Sequence, residues 1–178
     1  YGAMNASIAL LRKEYGLHGV HSKVLQALLT SRAPILEIEE YIQRLFERFE
    51  HKAPYEILRA SFNSKSWELG LKYVNQMPST PRNNHLALRT LFRVGEKNRA
   101  EKLLREMKPQ KYNQTQLLDI IRIGLQIMSE EEIGPWLRHS NLEESEIKLE
   151  LARSQFKNAI TESDFENSFS AFKILYEV

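Results

Sequence analysis

Apolar residues recur along the chain at steps of three and four positions, which is the period of an α-helix with one buried face. The segment that follows Pro34 shows this pattern most clearly, because its charged residues occupy the opposite side. Its apolar stripe consists of Ile35, Ile38, Ile42, Leu45 and Phe49. Long alternating stretches of apolar and polar residues, which are typical of half-buried strands, are absent from the sequence. The pattern therefore predicts an all-α fold.

Short breaks rich in Gly, Pro, Ser and Asn separate the helical stretches. Ser129 is followed three residues later by Glu132, a pattern that caps the first turn of a helix, and Pro81 suits a first helical position. The sequence predicts helices over residues 4–15, 19–31, 34–50, 54–63, 66–77, 81–94, 96–108, 113–128, 130–139, 142–160 and 163–177.

The predicted helices after residue 54 form pairs that repeat in sequence. An alignment at an offset of 30 superimposes Gly70 on Ala100, and steps of 34 from Ala100 reach Gly134 and Ser168. A small residue at one place in each pair indicates that helices approach closely there, since a large side chain would force them apart. We therefore expect stacked helix pairs that share a continuous core.

These pairs resemble the tetratricopeptide repeat superfamily, whose units are helix pairs of about 34 residues. The match is clearest over residues 91–104, where Gly95 is followed five positions later by Ala100. Residues 163–172 keep the pattern with serines, and the Trp/Leu/Gly/Tyr signature of the family's first helices is missing. The resemblance implies a short right-handed α-solenoid and a protein-interaction scaffold rather than a reaction.

The resemblance covers about residues 54–178, which we interpret as a helical-repeat domain with extra N-terminal helices in residues 1–53 packing on it. The expected units are residues 54–80, 81–111, 112–140 and 141–178. Residues 2–4 read Gly-Ala-Met, which is typical of the remnant of a cleaved tag. The chain would then be a part of a longer multidomain protein.

The net charge of +2 conceals a strong asymmetry. Residues 1–81 have a net charge of +2, residues 82–111 of +6 and residues 112–178 of −6. These charges either solvate helix faces and pair across them, or the basic segment forms a surface for an anionic partner.

Candidate chemistry is sparse. The chain has no cysteine, which excludes disulfides and a thiol nucleophile, and it carries no glycine-rich phosphate loop or His-Glu-x-x-His motif. His18 and His21 share a helix face without a third ligand, so we expect neither a metal nor a cofactor. The apolar runs are too short to insert into a membrane, and the cytoplasm is the default location. On its own, the chain is not expected to be an enzyme.

The best candidate site is a set of three arginines. Arg59 and Arg89 occupy equivalent repeat positions, and Arg93 lies one turn beyond Arg89. In the family that the chain resembles, these first helices line the concave groove, where guanidinium groups would bind carboxylates or phosphates. Solvation of the helix faces is the alternative role for these arginines.

Three functions remain open from the sequence. The first is a non-catalytic scaffold that binds a protein or peptide, or other domains of its own chain. If the three arginines form the binding site, this partner is expected to be acidic. The second is an accessory helical region of a larger enzyme, such as a polymer-building transferase. The third is a nucleic-acid-binding helical repeat, which the interleaved glutamates and the acidic C-terminal part disfavour. Neither the partner nor the oligomeric state follows from the sequence.

Overall fold

A computed structural model describes residues 20–50 and 52–161, and in these ranges the protein is all-α, as predicted. The helices there are α1 (Val20–Thr30), α2 (Ile35–Phe49), α3 (Ala53–Ser64), α4 (Trp67–Val74), α5 (Pro81–Val94), α6 (Lys97–Glu106), α7 (Gln114–Gly124), α8 (Glu130–His139) and α9 (Glu144–Thr161), with a 3₁₀ turn at Pro109–Lys111. None of them combines the length and the apolar character that crossing a membrane requires.

Most predicted helix bounds agree with the structure, and those of 81–94 and 130–139 coincide with it. Two predicted helices end early. Helix α4 stops at Val74 rather than at residue 77. Helix α7 stops at Gly124 rather than at residue 128, because the chain then turns and the amides of Ile127 and Met128 both donate to the Gly124 carbonyl. The predicted helices over 4–15 and 163–177 lie outside the described residues.

The chain divides into two compact units, residues 1–94 and residues 95–178. The predicted start of the repeat domain at residue 54 therefore lies inside the first unit. Helix α3 is central to this unit, because α1, α2, α4 and α5 all contact it. Its buried cluster consists of Val20, Val24, Leu25, Tyr41, Ile42, Leu45, Ala53, Ile57, Ala60 and Tyr73.

Gly70 lies where α3, α4 and α5 meet. A Cβ atom at this position would lie 3.3 Å from Thr90 Cγ2, 3.4 Å from Leu58 Cδ1 and 3.5 Å from Ser61 Cβ. The close approach predicted at Gly70 is therefore confirmed. Ala100, its repeat equivalent in the second unit, is fully buried.

Two helix connections share a left-handed residue at equivalent repeat positions. Lys65 has a φ of 59°, and Gly95, 30 residues later, has a φ of 86°. Lys65 ends α3 in a Schellman arrangement, in which its own amide donates to the Phe62 carbonyl and the next amide, that of Ser66, donates to the Ser61 carbonyl at 2.8 Å. Nothing lies within 4 Å of a Cβ placed on Gly95, so the dihedral angle alone explains the glycine there.

In the second unit, α7 and α8 begin with capping boxes and pack against each other. The side chain of Asn113 accepts from the amide of Gln116 at 3.0 Å, and that of Ser129 accepts from the amide of Glu132 at 3.4 Å. These reciprocal bonds satisfy amides that a helix start leaves unpaired. The capping box predicted at Ser129 is thus confirmed.

The close approach predicted at Gly134 is wrong. A Cβ there would meet only the flexible Arg138 guanidinium, at 3.3 Å. The close contact of this unit is instead at Gly124, where a Cβ would overlap Ile133 Cδ1 and lie 3.2 Å from Leu104 Cδ2. A fixed step of 34 missed it because Gly124 ends α7, the first helix of its pair, rather than beginning the second. Ser168 lies outside the described residues.

Candidate functional site

The three predicted arginines all lie in the first unit, on two helices. Arg59 is half-buried on α3, Arg89 is half-buried on α5, and Arg93 is exposed in the last turn of α5. Helix α5 adds Arg82 and His85, at spacings that place all four of its basic side chains on one face. No Asp or Glu interrupts α5.

Two arginines of α5 lie over aromatic rings of α3. Arg82 Cζ is 4.6 Å from the centroid of the Tyr55 ring, and Arg89 Cζ is 4.5 Å from that of the Phe62 ring. Both distances are within the range of cation–π attraction. From the first contact to the second, the position moves forward by seven residues on both helices. Helices α3 and α5 therefore run side by side in the same direction. We call this surface the arginine face; it comprises Tyr55, Arg59 and Phe62 of α3 with Arg82, His85, Arg89 and Arg93 of α5.

Phe62 also contacts Trp67, whose ring meets it edge to face with centroids 5.6 Å apart. The ring under Arg89 is therefore positioned by the first residue of α4. This contact links the start of the second helix of the pair to the arginine face.

One carboxyl group lies beside the arginine face. Burial raises the pKa of Glu56, against the opposing effects of hydrogen bonds from Ser22 and of the charges of Arg59 and Arg82. Its Oε2 is buried and has no hydrogen-bond partner among the described residues. Glu56 therefore joins α1, through Ser22, to the arginines of α3 and α5.

Sequence reasoning found Arg89 but missed Arg82. The repeat offset of 30 pairs Arg89 with Arg59 as equivalent positions, whereas the contacts join residues 27 apart, Tyr55 to Arg82 and Phe62 to Arg89. The sequence does contain a pattern that would have indicated these contacts: the two aromatic residues are seven positions apart on one helix, and the two arginines are seven positions apart on the other.

The histidine pair does not bring metal ligands together in the described residues. His21 Nδ1 lies 3.0 Å from the Tyr41 hydroxyl, and its ring lies 4.7 Å from that of Phe49. His21 thus belongs to the contact between α1 and α2, while His18 lies outside the described residues. No group of three acidic or histidine side chains in the described part of the chain is arranged to hold a metal.

A second cluster of charges joins α9 to α7 in the second unit. Arg122 donates to both oxygens of Glu150, at 3.0 and 2.7 Å, and Arg153 donates to Oε1 at 3.1 Å. Glu150 is only 7% exposed, and its hydrogen bonds from Arg122 lower its pKa. These side chains line an open depression of about 290 Å³. Because both arginines are bonded to Glu150, the cluster is explained by the docking of α9.

No family model, curated protein or solved structure matches the chain.

Proposed function

We propose that the protein is a non-catalytic helical scaffold that binds a protein or peptide partner through the arginine face. The observation that carries the proposal is the row of basic side chains on α5, two of which rest on rings of α3. Arginine and aromatic residues are enriched in protein interfaces and at their binding hot spots. The ring contacts hold long side chains in place before a partner arrives, which reduces the entropy lost on binding.

We also propose that the helix pairs are TPR-like repeats stacked as a right-handed solenoid. Support comes from the buried small residues at Gly70 and Ala100 and from the matching left-handed residues at Lys65 and Gly95. The parallel course of α3 and α5 is what neighbouring first helices of such an array would show. In that arrangement the arginine face would lie on the groove side.

Binding of single-stranded nucleic acid fits the arginine face less well. Base stacking needs open aromatic faces, and the rings of Tyr55 and Phe62 each have a guanidinium over one face. The accessory role in a larger enzyme is compatible with the same surface, because the partner would then be another domain of the longer chain.

The test is capture of a partner from the native source, followed by a measurement of its affinity with purified proteins. We expect the variant Arg59→Ala/Arg89→Ala/Arg93→Ala to bind the partner at least tenfold more weakly, since charge-assisted contacts contribute about 1.5–3 kcal/mol each. The matched control is Arg44→Ala/Arg48→Ala/Lys72→Ala, which removes three exposed cations from α2 and α4 of the same unit. Equal affinities of the triple variant and the wild type would contradict the proposal.

A further inference from the structure

The two ring-supported arginines are held at a defined separation. Arg82 and Arg89 are seven residues apart on α5, which corresponds to about 10.5 Å along the helix axis at 1.5 Å per residue. Each guanidinium lies over a ring of α3, with Cζ within 4.6 Å of the ring centroid. The rings of Tyr55 and Phe62 are themselves seven residues apart on a parallel helix, so both pairs share one spacing.

A guanidinium uses different parts of itself for the ring and for an anion. Its flat face meets the ring, whereas its five N–H groups lie in the plane and form a fork that matches a carboxylate. The short Cζ–centroid distances restrict where each guanidinium lies, and a guanidinium that contacts a ring through its face can still donate in its plane to a carboxylate. Such preorganisation favours a ligand with two acidic groups at the same separation as the two forks.

The surrounding charges also favour an acidic ligand. The first unit, residues 1–94, contains 13 Lys and Arg against 8 Asp and Glu, a net charge of +5. Helix α5 contributes three of these cations, Arg82, Arg89 and Arg93, and no anion. The nearby carboxyl, Glu56, has a raised pKa, so its negative charge opposes the face less than that of an ordinary glutamate would at mildly acidic pH.

We propose that the arginine face binds an extended acidic segment of a protein, in which two carboxylate side chains three positions apart are held by Arg82 and Arg89. The inference rests on the proposed scaffold function and specifies its ligand. In a polyproline II chain, which has three residues per turn and rises 3.1 Å per residue, side chains i and i+3 point to the same side about 9 Å apart. This separation matches that of the two arginines closely enough for flexible Glu side chains. The contacts are made by side chains within the segment, so neither end of the partner chain is needed.

The recognition test uses the full chain and short synthetic peptides with blocked ends and a proline-rich, extended sequence. One peptide carries two glutamates three positions apart, a second carries the same two glutamates side by side, and a third has glutamines in their place. We expect the first to bind about tenfold more tightly than the second, because only it engages both forks, and the third to bind most weakly. Equal binding of the first two peptides, or no measurable binding of the first, would overturn the inference.

The fork chemistry is tested with Arg82→Lys/Arg89→Lys, which keeps both charges and removes both planar forks. We expect this variant to bind the first peptide about tenfold more weakly, whereas the control Arg44→Lys/Arg48→Lys keeps the wild-type affinity. Unchanged affinity of the Arg82/Arg89 variant would mean that charge alone suffices, and the inference would then be wrong. Circular dichroism of each variant checks that the helices are retained.

The failures of the two proposals are distinguishable. Suppose that a native partner binds the Arg59/Arg89/Arg93 variant more weakly but does not compete with the spaced peptide. The scaffold function would then stand, and the proposed acidic ligand would be wrong. Tighter binding of a single-stranded RNA than of the spaced peptide, at the same salt concentration, would overturn both.

Discussion

Glu56 and Glu150 both lie beside arginines, yet their pKa values move in opposite directions. Hydrogen bonds from Arg122 lower the pKa of Glu150, whereas burial raises that of Glu56, although Arg59 and Arg82 are near it. The difference arises from direct bonding. Glu150 accepts two hydrogen bonds from one guanidinium, whereas Glu56 Oε2 is buried without a partner among the described residues.

Replacing Glu150 with Gln tests the first of these effects. A lowered pKa in the folded state stabilises the protein above the ordinary value of 4.5, and this contribution disappears as the pH falls through the lowered pKa. We expect Glu150→Gln to reduce the free energy of unfolding by about 1–3 kcal/mol at neutral pH, since it breaks charge-assisted bonds. Urea denaturation at neutral and strongly acidic pH measures this, and a loss that is undiminished in acid would contradict the explanation.

Replacing Glu56 with Gln should show the opposite dependence on pH. Because its pKa is raised in the folded state, the wild-type protein loses stability as the pH rises from 4.5 through the raised value. Gln cannot ionise, so Glu56→Gln should be more stable relative to the wild type at neutral pH than at acidic pH. Thermal unfolding of both proteins across this range checks the sign, with Glu56→Asp as a control that retains an ionisable group.

At the scale of helices, the sequence predicted what is encoded locally. The apolar stripe of α2 and the Ser129 cap of α8 depend on residues within a few positions of one another. The cap is found, and the stripe is buried at Ile42 and Leu45, whereas its predicted first member, Ile35, is 75% exposed. The early end of α7 was missed because Ile127 and Met128 continue the apolar pattern while their amides turn back to Gly124. The stagger between α5 and α3 was missed, with contacts 27 rather than 30 residues apart, because it depends on how the side chains of two parallel helices fit together, which the repeat offset does not specify.

The two buried glycines should respond differently to the same substitution. In Gly124→Ala the new Cβ overlaps the fully buried Ile133, so we expect a loss of about 1–3 kcal/mol. In Gly70→Ala the nearest atom is 3.3 Å away, and the gain in helix propensity of about 1 kcal/mol offsets the tighter contact. Chemical denaturation of the two variants compares them directly, and equal midpoints would refute the assignment of the closest helix approach to Gly124.

At the scale of the whole molecule, one buried apolar cluster of the first unit contains only residues 20–73, and Leu88 and Leu91 of α5 are buried as well. The arginine face also belongs to this unit, since its residues extend from Tyr55 to Arg93. The charge asymmetry of the sequence does not follow this division, because residues 95–111 of the second unit still have a net charge of +3 and the sign changes only at residue 112. The sequence shows where the charge changes, whereas only the folded chain shows where the compact units divide.

A fragment of residues 1–94 should therefore fold by itself. We expect it to retain helical circular dichroism and to unfold cooperatively, because the apolar cluster around α3 contains only residues from Val20 to Tyr73. A fragment ending at residue 64 lacks α4 and α5 and serves as the control, since it loses both the Gly70 contacts and the arginines of α5. A 1–94 fragment without a cooperative transition would show that the first unit depends on the second.

The left-handed residue at Lys65 offers a way to make the protein more heat-resistant. A lysine in this conformation is disfavoured by about 1 kcal/mol relative to glycine. The equivalent position of the next connection, Gly95, already has a glycine. The Lys65 side chain is exposed and is not part of the arginine face, so an engineer who introduces glycine there removes this strain without altering the proposed ligand contacts. Directed selection for a higher melting temperature should therefore return substitutions at this position early.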